Sequence, residues 1–220
     1  EITRHLGGMA ALLMPAAEAE KAIAEAGYPG IEIAAINSPR GVTISGRIDS
    51  LDQFLKFARS KRWAFKRLDL DYPFHCALVD PIRDPLMATL ADIKPRAARV
   101  PFVSTVKGVP VPGETLGATY WWDNVRQPVA FEPGMRSLIE AGPRVFLEIG
   151  PRPVLGAYVG DVLKDMNVSG ATLSSLDRAD TEALDPVARI AAAVIANGAR
   201  VVDEKLFGRA RRTGVALPTY

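Results

Sequence analysis

The chain has 220 residues, 48% hydrophobic and 24% charged, which suits one large or two small globular domains. Its 27 basic and 25 acidic side chains leave a net charge of +2, no basis for a polyanion binder such as a nucleic-acid protein. The single cysteine, Cys76, excludes a disulfide framework and a cysteine-rich zinc site, and two histidines leave little for a His-based metal site. No apolar run approaches the ~18 residues of a membrane span, and no signal peptide is read. The whole net charge sits in residues 203–220, where Lys205, Arg209, Arg211 and Arg212 face Asp203 and Glu204. The start at Glu1 and the abrupt stop at Leu-Pro-Thr-Tyr lead us to expect a piece of something longer.

In chain order, the apolar run 8–14 (GMAALLM) reads as a buried strand. Pro15 opens a helix with Ala19, Ile23 and Ala26 on its apolar face, stopped by Gly27. IEIAAIN (31–37) and GVTISG (41–46) are strand-like and separated by Ser38-Pro39. Asp49 or Ser50 is the expected cap of the next helix, whose face is Leu51, Phe54, Leu55 and Ala58. WAFKRLDL (63–70) alternates like a strand. The order β-α-β-β-α-β is the ferredoxin-like arrangement, which by itself names no function.

Beyond Tyr72-Pro73 the pattern changes. Residues 77–91 read as a helix, 95–101 as a basic proline-bounded connection, 100–106 as a strand and 106–114 as a turn. Residues 119–126 (TYWWDNVR) and 131–141 read as helices, with Trp121 and Trp122 as wedges against the sheet. RVFLEIG (144–150) is an apolar strand, 154–166 the helix after it, 171–176 a further strand and 181–197 an alanine-rich helix. Alternating strands and helices imply a parallel α/β sheet, with too few strands to be complete.

His75, just past a strand in Asp-Tyr-Pro-Phe-His-Cys, is placed for a general base or for a half-buried structural role. A base needs a nucleophile, and no serine here lies in Gly-x-Ser-x-Gly. Consecutive side chains diverge, which argues against a Cys76–His75 dyad; Cys76 reads as a small buried filler. Asp80, Arg83 and Asp84 share a helix face and read as a solvated ion pair.

Six stretches together carry a resemblance: GGMAAL (7–12), AAINSPRGVTISG (34–46), DYPFHCALVDPIRDPL (71–86), RVPFVSTVKGVPV (99–111), YWWDNVRQPVAF (120–131) and RVFLEIGPRPVL (144–155). In order and spacing they resemble the acyltransferase domain of polyketide synthases, related to malonyl-CoA:acyl-carrier-protein transacylases. The resemblance implies an α/β protein in which a ferredoxin-like small subdomain (residues 1–70) is joined to the C-terminal part of an α/β-hydrolase-like large subdomain (71–177). Residues 178–220 resemble the linker that follows the acyltransferase and returns towards the ketosynthase.

The same resemblance implies a chemistry. A serine takes an extender acyl group from acyl-CoA and passes it to the phosphopantetheine thiol of an acyl carrier protein, with no bound cofactor or metal. His75 matches the catalytic base. The serine, the carboxylate-binding arginine and the oxyanion-hole donors match nothing in this chain, so the chain alone is expected to be inactive. A carbonyl in Gln127-Pro128-Val129 is expected to orient the histidine, with Asn124 second; for both, a helix-end cap is the alternative. Asn37 matches a residue of the cleft between subdomains, or is simply a turn residue before Pro39. Tyr72, Pro73 and Phe74 match the extender-selecting positions. The bulk of Phe74 favours malonyl, with methylmalonyl and larger α-carboxyacyl groups left open; the alternative is that Phe74 is core packing. Glu148-Ile149-Gly150-Pro151 is a backbone feature rather than a catalytic carboxylate. Partners implied are acyl-CoA, the carrier protein and the ketosynthase in a cytoplasmic homodimeric synthase. The rival reading is a non-catalytic ferredoxin-like docking module. An RNA-binding version is disfavoured, because GVTISG and GMAALLM carry no aromatics.

Overall fold

The computed structural model describes residues 3–176 and 185–198. Strand β1 (Gly7–Leu12) leads into helix α1 (Ala16–Ala26), which Gly27 ends in the left-handed conformation (φ 69°), donating its N–H to the Ile23 carbonyl. The hairpin β2 (Glu32–Ser38) and β3 (Gly41–Arg47) follows, then helix α2 (Ile48–Ser60) and the short β4 (Phe65–Arg67). The sheet order β4-β1-β3-β2 is antiparallel throughout, as the ferredoxin-like reading requires. Leu51, Phe54, Leu55 and Ala58 are buried along one stripe of α2 and meet Ala10, Leu12, Val42 and Ile44 of the sheet. The apolar and β-branched runs of β1 and β3, together with the helical period of α2, therefore make one core.

Several local expectations are corrected. Arg47, not Asp49 or Ser50, occupies the cap position of α2 and makes no side-chain cap bond; Ser50 is buried within the first turn of the helix. The alternating run 63–70 pairs over only three residues. The expected helix 77–91 is a 3₁₀ turn (Ala77–Ile82) followed by the α-helix α3 (Arg83–Thr89). Pro81 lies inside the first piece and Pro85 in the first turn of the second, where their missing N–H groups and fixed φ limit continuous α-helix. The run 100–106 is not a strand of a parallel sheet. It contributes β5 (Val103–Ser104) to a two-residue antiparallel ribbon with β6 (Val109–Pro110).

Helix α4 (Ala118–Arg126) buries Trp122, whereas Trp121 is 37% exposed, so only one of the two tryptophans is a wedge. The chain then forms β7 (Val129–Ala130), which pairs in parallel with β2 through Ala35↔Val129 and Ile36↔Ala130. This pairing, not expected from the sequence, sews the region after residue 70 onto the first sheet. Helix α5 (Phe131–Glu140), strand β8 (Val145–Glu148), helix α6 (Gly156–Asp165) and strand β9 (Ala171–Ser174) complete a second core around Met135, Ile139, Val162 and Leu163. β8 and β9 are parallel with α6 between them, so the parallel sheet is present as a single β-α-β unit. Helix α7 (Pro186–Ala196) packs near β9. The expected linker lies outside the described residues except for α7 and its flanks.

Candidate active site

The loop between β4 and α3 carries the candidate base. Pro73 is fully buried and fixes the approach, and Cys76 is fully buried on the other side. Cys76 Sγ donates to the Pro73 carbonyl at 3.3 Å and accepts from Ser45 Oγ at 3.5 Å. Burial pushes its thiol pKa up, which suits packing rather than nucleophilic attack. Between these two anchors His75 adopts φ 60°, a left-handed conformation uncommon for a residue with a Cβ.

The ring of His75 is held from one side. Nδ1 lies 2.8 Å from the carbonyl oxygen of Gln127, just past the end of α4. A carbonyl only accepts, so Nδ1 carries the proton and Nε2 of the neutral ring has the free lone pair. The backbone N–H of His75 donates to the Val125 carbonyl at 3.2 Å, so both ties run to the same helix end. Partial burial lowers the imidazole pKa from its ordinary 6.5, against the opposing pull of the Gln127 carbonyl. The lowering favours the neutral ring, the state a general base needs.

Tyr72, Phe74, His75 and Gln127 are thus brought together. The Tyr72 and Phe74 rings stack at 5.7 Å, and Phe74 lies 6.3 Å from the imidazole. Phe74 is 39% exposed, so it is not core packing. Asn124, half-buried on α4, makes no hydrogen bond to His75; that contact belongs to the Gln127 main chain. Asn37 braces the β2–β3 hairpin, its amide donating to Thr43 Oγ1 at 2.9 Å.

Glu148 has a structural task. Its two oxygens accept the N–H groups of Val154 and Leu155 at 2.8 and 2.9 Å, at the start of α6. Asp80 does not pair with Arg83: its carboxylate accepts from Arg126 Nε at 2.7 Å, while Arg83 and Asp84 form a loose surface pair at 3.5 Å. Two charged connections were missed by sequence reasoning. One joins Glu32, Arg126 and Asp80. The other joins the β2–β3 turn to α6, where Asp161 accepts from Ser38 Oγ at 3.1 Å and Arg40 Nη2 at 2.7 Å. The signal for the first was Glu32 itself, a charge inside the apolar run IEIAAIN. Among the described residues no cluster of three or more His, Cys, Asp or Glu could hold a metal, and no helix is long and apolar enough to cross a membrane.

The family model of the acyl transferase domain matches residues 2–201. The spectinabilin polyketide synthase system protein NorC of Streptomyces orinoci is 40% identical over 174 residues, covering 79% of this chain and 8% of that protein. Polyketide synthase GfsB of Streptomyces halstedii is 36% identical over 216 residues, 97% of this chain and 4% of that protein. Among solved structures, the acyltransferase domain from module 8 of the salinomycin polyketide synthase superposes with a TM-score of 0.84 at 30% identity, covering 90% of this chain and 47% of that one. The malonyl CoA-acyl carrier protein transacylase from Clostridium perfringens superposes at 0.74 and 26% identity, over 88% of this chain and 58% of that one. The chain therefore spans under a tenth of these curated relatives and about half of the solved acyltransferase chains.

Proposed function

The chain belongs to the acyl transferase domain family, with the α/β fold of polyketide synthase acyltransferases, and on that premise we propose that His75 is the base of an acyl transfer whose nucleophile is a serine outside these 220 residues. The observation that carries this reading is the 2.8 Å contact between His75 Nδ1 and the Gln127 carbonyl. It leaves Nε2 to take the serine Oγ proton as Oγ attacks the thioester carbonyl of acyl-CoA. The tetrahedral intermediate then collapses to the serine ester, and the imidazolium returns its proton to the leaving CoA thiolate. In the second half, Nε2 takes the proton of the phosphopantetheine thiol of an acyl carrier protein as the sulfur attacks the ester carbonyl; the Oγ–acyl bond breaks, the acyl group stays on sulfur, and the imidazolium returns the proton to the leaving serine Oγ. A main-chain carbonyl orients the ring without adding a full negative charge behind it, in contrast to a triad carboxylate. That fits the lowered pKa of His75.

The extender is an α-carboxyacyl group, with malonyl favoured. Phe74 stands beside the imidazole with Tyr72 stacked on it, and a ring of that bulk leaves less room for an α-methyl on the acyl group than a small residue would. One methyl is worth about 1–3 kcal/mol of discrimination. Residues 1–70 form the small subdomain, 71–177 belong to the large one, and 178–220 are the linker towards a ketosynthase in a cytoplasmic homodimeric synthase. The large-subdomain assignment is supported by the β8–β9 pair. An open apolar groove of about 380 Å³ runs along it, lined by Phe131, Leu138, Val145, Leu147 and Leu173, and Ile149 just beyond β8 is 84% exposed. Without a Gly-x-Ser-x-Gly serine the chain alone is inactive.

The test is reconstitution. The chain is joined to the serine-bearing half of a related acyltransferase and supplied with radiolabelled malonyl-CoA and phosphopantetheinylated carrier protein. Label is expected first on the serine half and then on the carrier, and none with the chain alone. A folded joined domain that never acquires label would refute the reading.

A further inference from the structure

Behind His75 lies a charged cluster drawn from three parts of the chain. Glu32, at the start of β2, uses its two oxygens differently. Oε1 accepts the N–H of Ala77, two residues after His75, at 2.6 Å; Oε2 accepts Arg126 Nη1 at 3.0 Å. Arg126 ends α4 and is the residue immediately before Gln127. Its Nε donates to Asp80 Oδ1 at 2.7 Å, and Asp80 lies on the 3₁₀ turn that follows His75. One carboxylate thus holds the segment that carries the imidazole and, through Arg126, the segment whose carbonyl accepts the Nδ1 proton.

Two of the three side chains are largely enclosed, while Asp80 is 53% exposed. The Arg126 side chain is 21% exposed and that of Glu32 is 34%. Groups so placed are costly to leave unpaired. Burial acts against the Arg126 charge, yet the hydrogen bonds and charges of Asp80 and Glu32 outweigh it. The left-handed backbone of His75 needs such over-determination from its surroundings. Only a guanidinium can serve both carboxylates from one rigid fork.

We propose that Glu32, acting with Arg126 and Asp80, is a positioning residue for His75: it sets the meeting of imidazole Nδ1 with the Gln127 carbonyl, and through it the ring tautomer. The proposal rests on His75 being the base. None of the three touches the reacting atoms. Because Glu32 belongs to the first sheet, that sheet takes part in setting the ring.

The experiment reads the ring itself. The full chain is labelled with ¹⁵N-histidine, and the signals of His75 are separated from those of His5 with a His5→Gln variant. The unaltered chain is expected to give the pattern of a single Nδ1–H tautomer at neutral pH. Glu32→Gln keeps size and an oxygen for Ala77 but turns an NH₂ towards Arg126. Arg126→Lys keeps the charge and loses the fork. Both are expected to lose the single pattern and show exchange between Nδ1–H and Nε2–H forms, with backbone amide spectra still those of a folded chain. An unchanged Nδ1–H pattern in both would overturn the proposal. Should either variant unfold, Asp80→Asn, whose side chain is half exposed, decides in the same way: mixed tautomers support the proposal and an unchanged ring overturns it. A failure of His75 as base would appear in acyl transfer and leave this tautomer result standing, so the two failures are distinguishable.

Discussion

Replacing Gly7 by alanine adds one methyl at the point where β1 meets the His75 loop. An ideal Cβ there would lie 2.4 Å from the Gly46 carbonyl oxygen, 2.6 Å from Pro73 Cβ and 2.9 Å from Leu78 Cδ1. None of the first two neighbours can give way cheaply. Gly46 is paired with Gly8 in the β1–β3 ladder, and Pro73 is a fully buried ring. Forcing a methyl into such a site costs about 1–3 kcal/mol, which for a chain of this size lowers Tm by roughly 2–12 °C. Gly160→Ala is the matched control. That residue lies inside α6 with nothing within 4 Å of its would-be Cβ, so helix propensity alone should stabilise the chain by about 0.5–1 kcal/mol. The assay is urea unfolding followed by circular dichroism. The contact to Pro73 adds a second expectation: Gly7→Ala should also disturb the His75 ring signals, whereas Gly160→Ala should not. Equal stability of Gly7→Ala and the unaltered chain would refute the close approach of β1 to the site.

Other outcomes follow from the same geometry. Because burial lowers the His75 pKa in the folded chain, its NMR titration should have a midpoint below 6.5. The unfolded chain then binds a proton first as pH falls, so this group's contribution to stability is full above the unfolded value and lost between it and the folded one, by at most about 1.4 kcal/mol per pH unit. Comparison with His75→Gln from pH 7.5 to 5 checks the sign. Cys76, fully buried with a raised pKa, should react with a thiol reagent only when the chain unfolds; rapid labelling of the native chain would place the thiol elsewhere. In the reconstituted domain, Phe74→Ser should shift preference towards methylmalonyl-CoA by about 10-fold or more. An unaltered malonyl-to-methylmalonyl ratio would remove Phe74 from extender selection.

Long periodic elements were legible in the sequence because their burial follows a simple period. The stripe Leu51, Phe54, Leu55, Ala58 and the apolar and β-branched runs that become β1 and β3 needed no tertiary information. What escaped was set by distant partners. Two residues of β7 become a strand only because β2 offers them an edge. The helix expected over 77–91 yields to two prolines and to Asp80 and Ala77 being drawn towards Arg126 and Glu32. At the site, family-like motifs pointed to His75 and to the Gln127 segment. The resemblance already implied a carbonyl of that segment; what it left open was which of its carbonyls makes the contact and whether Asn124 makes it instead, and the structure has the Gln127 carbonyl at 2.8 Å from Nδ1. Glu32 read as one more residue of an apolar strand, because its role exists only once α4 and the His75 loop meet in space.

If His75 is the base of the acyl transfer, His75→Ala must slow formation of the serine ester. The measurement is rapid-quench formation of the serine ester from malonyl-CoA in the reconstituted domain, with the backbone amide spectrum confirming that the variant is folded. A general base contributes about 10²–10⁴-fold, and a loss of that size is expected. Acylation within a few-fold of the unaltered domain would mean that His75 is not the base.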